Sequence, residues 1–255
     1  MSKSVNVTDN MTDLWTFFVF PLNILLAAVW VVLLIWLRNT YPGCIIVRFL
    51  LSPFATVSSI LLLLISCLWI GISGDREFTG SIIFVLILFY VQSTLILIIL
   101  RGWKREDGVR WRFLMLHCGL LIAVGAGFWG SPDTSEYRIR LKCDEASREA
   151  YRIDGRRTSL PYELTVIDLN TEYSVDGKPT WFEALVAVDD RQPVLIAVNN
   201  PYSPRFGDDI YLSSISEDTC ILQIVREPWR YVVLAGIIML LAGAFLLFIQ
   251  GPVRK

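Results

Sequence analysis

Hydrophobic and polar positions fall along this chain in two regimes. Five windows are long, apolar and free of Asp, Glu, Lys and Arg: Trp15–Leu37, Phe54–Ser73, Ser81–Leu100, Phe113–Gly130 and Tyr231–Gln250. Each is close to the roughly 20 residues that cross a bilayer core. One such run would also suit a buried helix, but five in 255 residues leave too little chain to cover them. The pattern predicts five transmembrane helices. The first is expected to be retained, because Lys3 is the only basic residue before it and its apolar run is longer than a signal-peptide core.

Between the fourth and fifth windows the period changes to two. Leu160–Asp168, Trp181–Val188 and Thr219–Val225 alternate apolar with polar residues, the mark of a strand with one buried face. Asp176-Gly177 between two such runs predicts a hairpin turn. Asp189–Gln192, Asn200-Pro201 and Phe206-Gly207-Asp208 break the chain again. Short strands at this spacing predict an antiparallel β-sandwich or open barrel. The expected architecture is an α+β membrane protein: a four-helix region over residues 1–130, with helices near 15–37, 54–73, 81–100 and 112–130; a β-rich domain over 131–228; and a fifth helix with its tail over 229–255.

Charge sharpens this division. Pro132–Glu227 holds 18 acidic and 11 basic residues, a net of −7, whereas the rest holds 6 acidic and 12 basic, a net of +6. An acidic domain on a basic membrane part argues against nucleic-acid binding, which wants a basic face. Arg38, Arg48, Arg101, Lys104, Arg105, Arg110, Arg112, Arg254 and Lys255 all fall on one side of five crossings. Lys3, Arg76 and Arg230 fall on the other. Positive residues in short loops mark the cytoplasmic side. The N-terminus and the β-rich domain are therefore expected outside and the C-terminus inside. Trp15, Trp103, Trp111, Trp129 and Trp229 flank the windows, as interfacial aromatics do. Asn6-Val-Thr8 and Asn10-Met-Thr12 match a glycosylation pattern too short and common to decide anything.

Candidate chemistry is sparse. His117 is the only histidine, and it lies inside the fourth helix, five residues past Arg112. That is about 7–8 Å inward at 1.5 Å per residue. A polar ring at that depth either hydrogen-bonds a neighbouring helix or serves as a ligand. Imidazole suits haem iron, but one histidine supplies only one of two axial positions. Gly119, Gly125 and Gly127 thin the same helix and permit close approach. Asn23 and Gln92 are polar exceptions better suited to helix contacts than to transport. Cys143 and Cys220 lie in the domain expected outside, where a disulfide persists, although sequence alone does not bring them together. No two cysteines are spaced as C-x-x-C, and no Walker, G-x-S-x-G or H-E-x-x-H motif is present. No catalytic residue is assigned. Intramembrane carboxylates, usual in ion pathways, are missing from the five windows.

Four stretches in order resemble the ResB/CcsB family of cytochrome c biogenesis (System II) membrane proteins. They are Phe49-Leu-Leu-Ser-Pro-Phe-Ala55 with Gly71-Ile-Ser-Gly74; Arg112-Phe-Leu-Met-Leu-His117-Cys-Gly119; Leu160-Pro-Tyr-Glu-Leu164 followed by Glu172-Tyr173, Asp176-Gly-Lys-Pro179 and Val198-Asn-Asn-Pro201; and Arg226-Glu-Pro-Trp229. The resemblance covers about four fifths of the chain. It implies a haem-binding or scaffold subunit of a holocytochrome c synthase (a lyase) in the bacterial cytoplasmic membrane. His117 would be an axial ligand to the iron of haem b, shared with a CcsA/ResC-like membrane partner, and apocytochrome c would be the acceptor. The chain departs from the family pattern in having four helices before a shorter domain, no tryptophan-rich loop and no further histidines. It is therefore expected to be a non-catalytic or half-site subunit. The alternative is a structural or partner-docking membrane protein with no haem ligand of its own.

Overall fold

The computed structural model describes residues 18–250 except 75–76, 107, 174–175, 177–178 and 217. Outside the described residues lie the glycosylation patterns at Asn6 and Asn10, the start of the first window with Trp15, Gly177 of the expected hairpin turn, and Lys3, Arg76, Arg254 and Lys255. The chain divides into two compact units, residues 1–132 with 229–255, and residues 133–228.

The first unit is helical. Its elements are α1 (Leu22–Thr40), the short α2 (Ile45–Leu50), α3 (Pro53–Ser73), α4 (Ile82–Gly102), α5 (Trp111–Gly130) and α6 (Arg230–Gln250). Among the described residues, five helices are long and apolar enough to cross a membrane, α2 being the short exception. Local chemistry sets several of their ends. Ser52 caps α3 by accepting from Ala55 N at 3.1 Å, and Pro53 follows at the first helical position. Gly74 closes α3 at φ +67°, which other residues resist. Ser81 caps α4 through Phe84 N at 3.2 Å.

Helix α4 is the centre of this unit. Of its apolar window, 39% is buried, against 11–17% for the other four. Its hydroxyls turn back on their own backbone, Ser93 Oγ donating to Phe89 O at 2.6 Å and Thr94 Oγ1 to Val91 O at 2.8 Å. That satisfies them where water is scarce. Tyr90 shares a hydrogen bond with Ser58 Oγ at 2.7 Å and donates to Ala55 O at 3.1 Å, tying α4 to α3. Leu34, Leu50, Ile96 and Leu97 form the apolar centre.

Helices α5 and α6 cross closely, and glycines allow it. A β-carbon on Gly119 would stand 2.6 Å from Leu240 N, one on Gly236 2.5 Å from Ala123 N, and one on Gly243 2.8 Å from Leu116 N. These are backbone atoms, so no rotamer change would relieve the clash. Gly127, by contrast, faces open space. The close approach expected at Gly119 is thus supplied by two further glycines on the last helix.

The second unit is one antiparallel sheet of eight strands: β1 (Ser135–Lys142), β2 (Ala146–Arg152), β3 (Arg157–Tyr173), β4 (Pro179–Val188), β5 (Val194–Ala197), β6 (Tyr202–Arg205), β7 (Asp208–Ser216) and β8 (Thr219–Arg226). The order across the sheet is β5-β4-β3-β2-β1-β8-β7-β6. Consecutive strands pair except β5 with β6, and β1 pairs with β8 from Ser135↔Arg226 to Lys142↔Thr219. The remaining gap, between β5 and β6, carries the isolated bridge Ala197↔Asn200. All eight strands of this unit join one antiparallel sheet, with no ladder between β5 and β6 among the described residues to close it.

Alternation fills its interior. Leu160, Tyr162, Leu164 and Val166 of β3 are buried, as are Ala184, Val186 and Val188 of β4 and Cys220, Leu222 and Ile224 of β8. At Ile167 the β3–β4 register slips by one residue, Val166 facing Val186 and Asp168 facing Leu185. The bulge turns Ile167 outward, at 39% exposure, and brings Leu169 back against the core.

Candidate functional site

His117 lies six residues into α5, about 9 Å from its start at 1.5 Å per residue. Its Nδ1 stands 2.8 Å from the carbonyl oxygen of Phe113, one turn earlier. A carbonyl only accepts, so the neutral ring carries its proton on Nδ1 and leaves the Nε2 lone pair unprotonated. The imidazole stacks on the Phe113 ring at 4.0 Å between centroids and 28° between planes. The Arg110 guanidinium covers the same phenyl at 4.8 Å, and its Nη1 donates to Gly102 O at 3.1 Å. Gly102 leaves room for this ring, because a β-carbon there would stand 2.6 Å from Phe113 Cζ and the phenyl would have to shift. Thus the α4–α5 turn holds Arg110, Arg110 covers Phe113, and Phe113 steadies His117.

The ring is partly buried. On a helix turning about 100° per residue, His117 lies roughly 200° from Gly119, away from the α6 crossing. The arrangement offers one neutral nitrogen donor beside an aromatic face, in a helix long enough to span a membrane. Such a donor suits one ligand position of a haem iron, and the chain has no second histidine for another. Among the described residues, no group of three or more His, Cys, Asp or Glu stands close enough to hold a metal ion.

Cys143 and Cys220 are free thiols. Cys220 pairs with Leu141 across the β1–β8 ladder, and Cys143 follows directly after β1. Cys143 is exposed and Cys220 buried. Burial, with the neighbouring Cys143 adding to it, pushes the Cys220 thiol up to about 12. Burial and then Asp144, Asp168 and Asp218 raise the Cys143 thiol above its ordinary value.

The polar exceptions expected to serve as helix contacts do so. Asn23 Nδ2 donates to Trp129 O at 2.8 Å, joining α1 to α5, and Trp129 Nε1 donates to Gln92 Oε1 at 3.0 Å, joining α5 to α4. Around them, Trp30, Phe89, Phe128 and Trp129 meet edge to face at 5.1–5.5 Å. They border an apolar cavity of about 460 Å³ whose lining includes Phe18, Ile82, Val85 and Pro132. Sequence reasoning missed this cavity. Its signal was two isolated amides in apolar helices near tryptophans, but the residues that meet are far apart in the chain.

No protein-family model matches the chain, and no curated protein matches it. Among solved structures it is similar to a "Cytochrome c Heme Lyase CcmF", with a TM-score of 0.42 and 14% identity, over 88% of this chain and 45% of that one. The chain thus spans less than half the length of that protein, and at this level the likeness assigns neither family nor activity.

Proposed function

We propose that this chain is the haem-binding and scaffold subunit of a cytochrome c synthase complex. It would help deliver haem across the membrane for covalent attachment to apocytochrome c, together with a CcsA/ResC-like partner. The sequence resemblance suggests the machinery, and the tautomer held at His117 carries the assignment of a role. Metal-bound histidines commonly donate their second ring nitrogen to a backbone carbonyl, which orients the ring and raises its basicity. His117 has that arrangement toward Phe113 O.

Haem, when bound, supplies an iron that accepts a nitrogen lone pair, and it is also the group to be transferred. The residues of this chain orient and hold. Phe113 and Arg110 keep the imidazole plane fixed, and the Nδ1 hydrogen bond keeps Nε2 free to donate its lone pair. The partner chain would supply the other ligand. The strand-rich unit, which the loop charges would put outside, would offer the surface on which an apocytochrome docks.

The test is the level of covalent haem in a reporter cytochrome c, in cells carrying wild type or His117→Ala beside the CcsA-like partner. We expect a fall of about tenfold or more, partly reversed by imidazole in the medium. An unchanged level with normally assembled protein would remove the ligand role. It would leave the alternative, a docking or structural protein whose partner alone holds the haem.

A further inference from the structure

The amide of Gln92 is set in an unusual position. Indole N–H groups only donate, so the bond from Trp129 Nε1 fixes the Gln92 oxygen toward Trp129 and turns its NH₂ the other way. Gln92 is 3% exposed, and its Nε2 has no hydrogen-bond partner among the described residues. The same is true of Trp30 Nε1. An unpaired buried donor costs about 1–3 kcal/mol, so two beside one groove mark a place where an acceptor belongs.

Gln92 and Trp30 line a second hollow of about 350 Å³, between α1, α4, α5 and the start of α6. Its rim includes Ile24, Ile122 and Val232, which are 37–43% exposed, so it opens to the outside of the helical unit. In a bilayer that side is lipid. None of its lining residues is charged, which disfavours a charged headgroup as occupant. Apart from the amide and indole groups, the walls are apolar. Gln92 Oε1 lies beside Gly125, 3.8 Å from where a β-carbon would stand. Gly125 is five residues from the end of α5, so the amide sits about 7–8 Å below that end. For a helix whose ends meet the two faces of a bilayer, that depth falls near the acyl carbonyls.

We propose that this groove is a lipid-binding site that recognises an acyl carbonyl. The carbonyl oxygen accepts from Gln92 Nε2 or Trp30 Nε1, and the acyl chain lies along the apolar wall. The site is independent of the haem assignment, since His117 is near the opposite end of α5.

The test uses the full chain in detergent and native mass spectrometry. The probes are a diacyl phosphatidylcholine and its dialkyl ether analogue, alike in headgroup and chain length but differing in the carbonyl. The diacyl lipid should be retained about tenfold better, and Trp30→Phe and Gln92→Leu should each reduce that preference. Palmitic acid as a third probe identifies the source: strong retention of the free acid would assign the site to fatty acids, and weak retention to glycerolipid esters. Equal retention of diacyl and dialkyl lipids by the wild type would overturn the proposal. So would an undiminished preference in both variants. The wild-type comparison stands even if a variant fails to fold.

Discussion

At the scale of single residues, two polar groups show opposite fates. His117 is held by a carbonyl and a ring and keeps one nitrogen free. Tyr162 is 2% exposed in the core of the strand-rich unit, and its hydroxyl has no partner among the described residues. Burial, followed by the charge of Asp208, holds its phenol well above the ordinary range. A raised acid pKa means that the fold favours the neutral phenol. The stability this gives is complete below the unfolded value near pH 10. It is lost as pH rises beyond that, because the unfolded chain ionises first. Tyr162→Phe should remove an unsatisfied hydroxyl and raise stability by about 1 kcal/mol at neutral pH. It should also lose less stability between about pH 9 and 11 than wild type. Thermal unfolding of the full chain in detergent across that range checks both, and a pH slope equal to wild type would contradict the assignment.

At the scale of elements, the α5–α6 crossing depends on missing side chains. Gly236→Leu would drive a β-carbon to 2.5 Å from Ala123 N, with backbone on both sides. We expect a loss of about 1–3 kcal/mol, typical of overpacking, seen as a lower unfolding temperature. Gly127→Leu, entering open space, should change stability by less than about 0.5 kcal/mol. Equal effects of the two would mean that the crossing is not held by close backbone approach.

The five long helices were legible because a bilayer demands length and apolarity together, and both are local properties. Their ends shifted where local chemistry intervened: α1 begins at Leu22, directly after Pro21. The six-residue α2 was not legible, being too short between Pro42-Gly43 and Ser52-Pro53 for a period to show. In the sheet, alternation gave β3, β4 and β8 directly. The pairing of β1 with β8 was hidden because it joins residues some eighty apart. The bulge at Ile167 was hidden for another reason: a register slip appears only against its partner strand. His117 stood out by being alone, whereas the Gln92–Trp129 contact joins positions 37 residues apart.

At the scale of the whole molecule, the chain joins a weakly self-packed helical unit to an acidic strand-rich one. Four of its five long helices bury only 11–17% of their apolar windows within the chain, leaving broad faces for lipid or another membrane protein. A single histidine on such a unit suits the proposed half-site completed by a partner. The most direct measurement is the absorption spectrum of the chain co-purified with its CcsA-like partner, wild type beside His117→Ala. Haem b bands that are lost or shifted in the variant and restored by added imidazole are the predicted result. Identical spectra from equally assembled complexes would contradict it and leave His117 a structural residue.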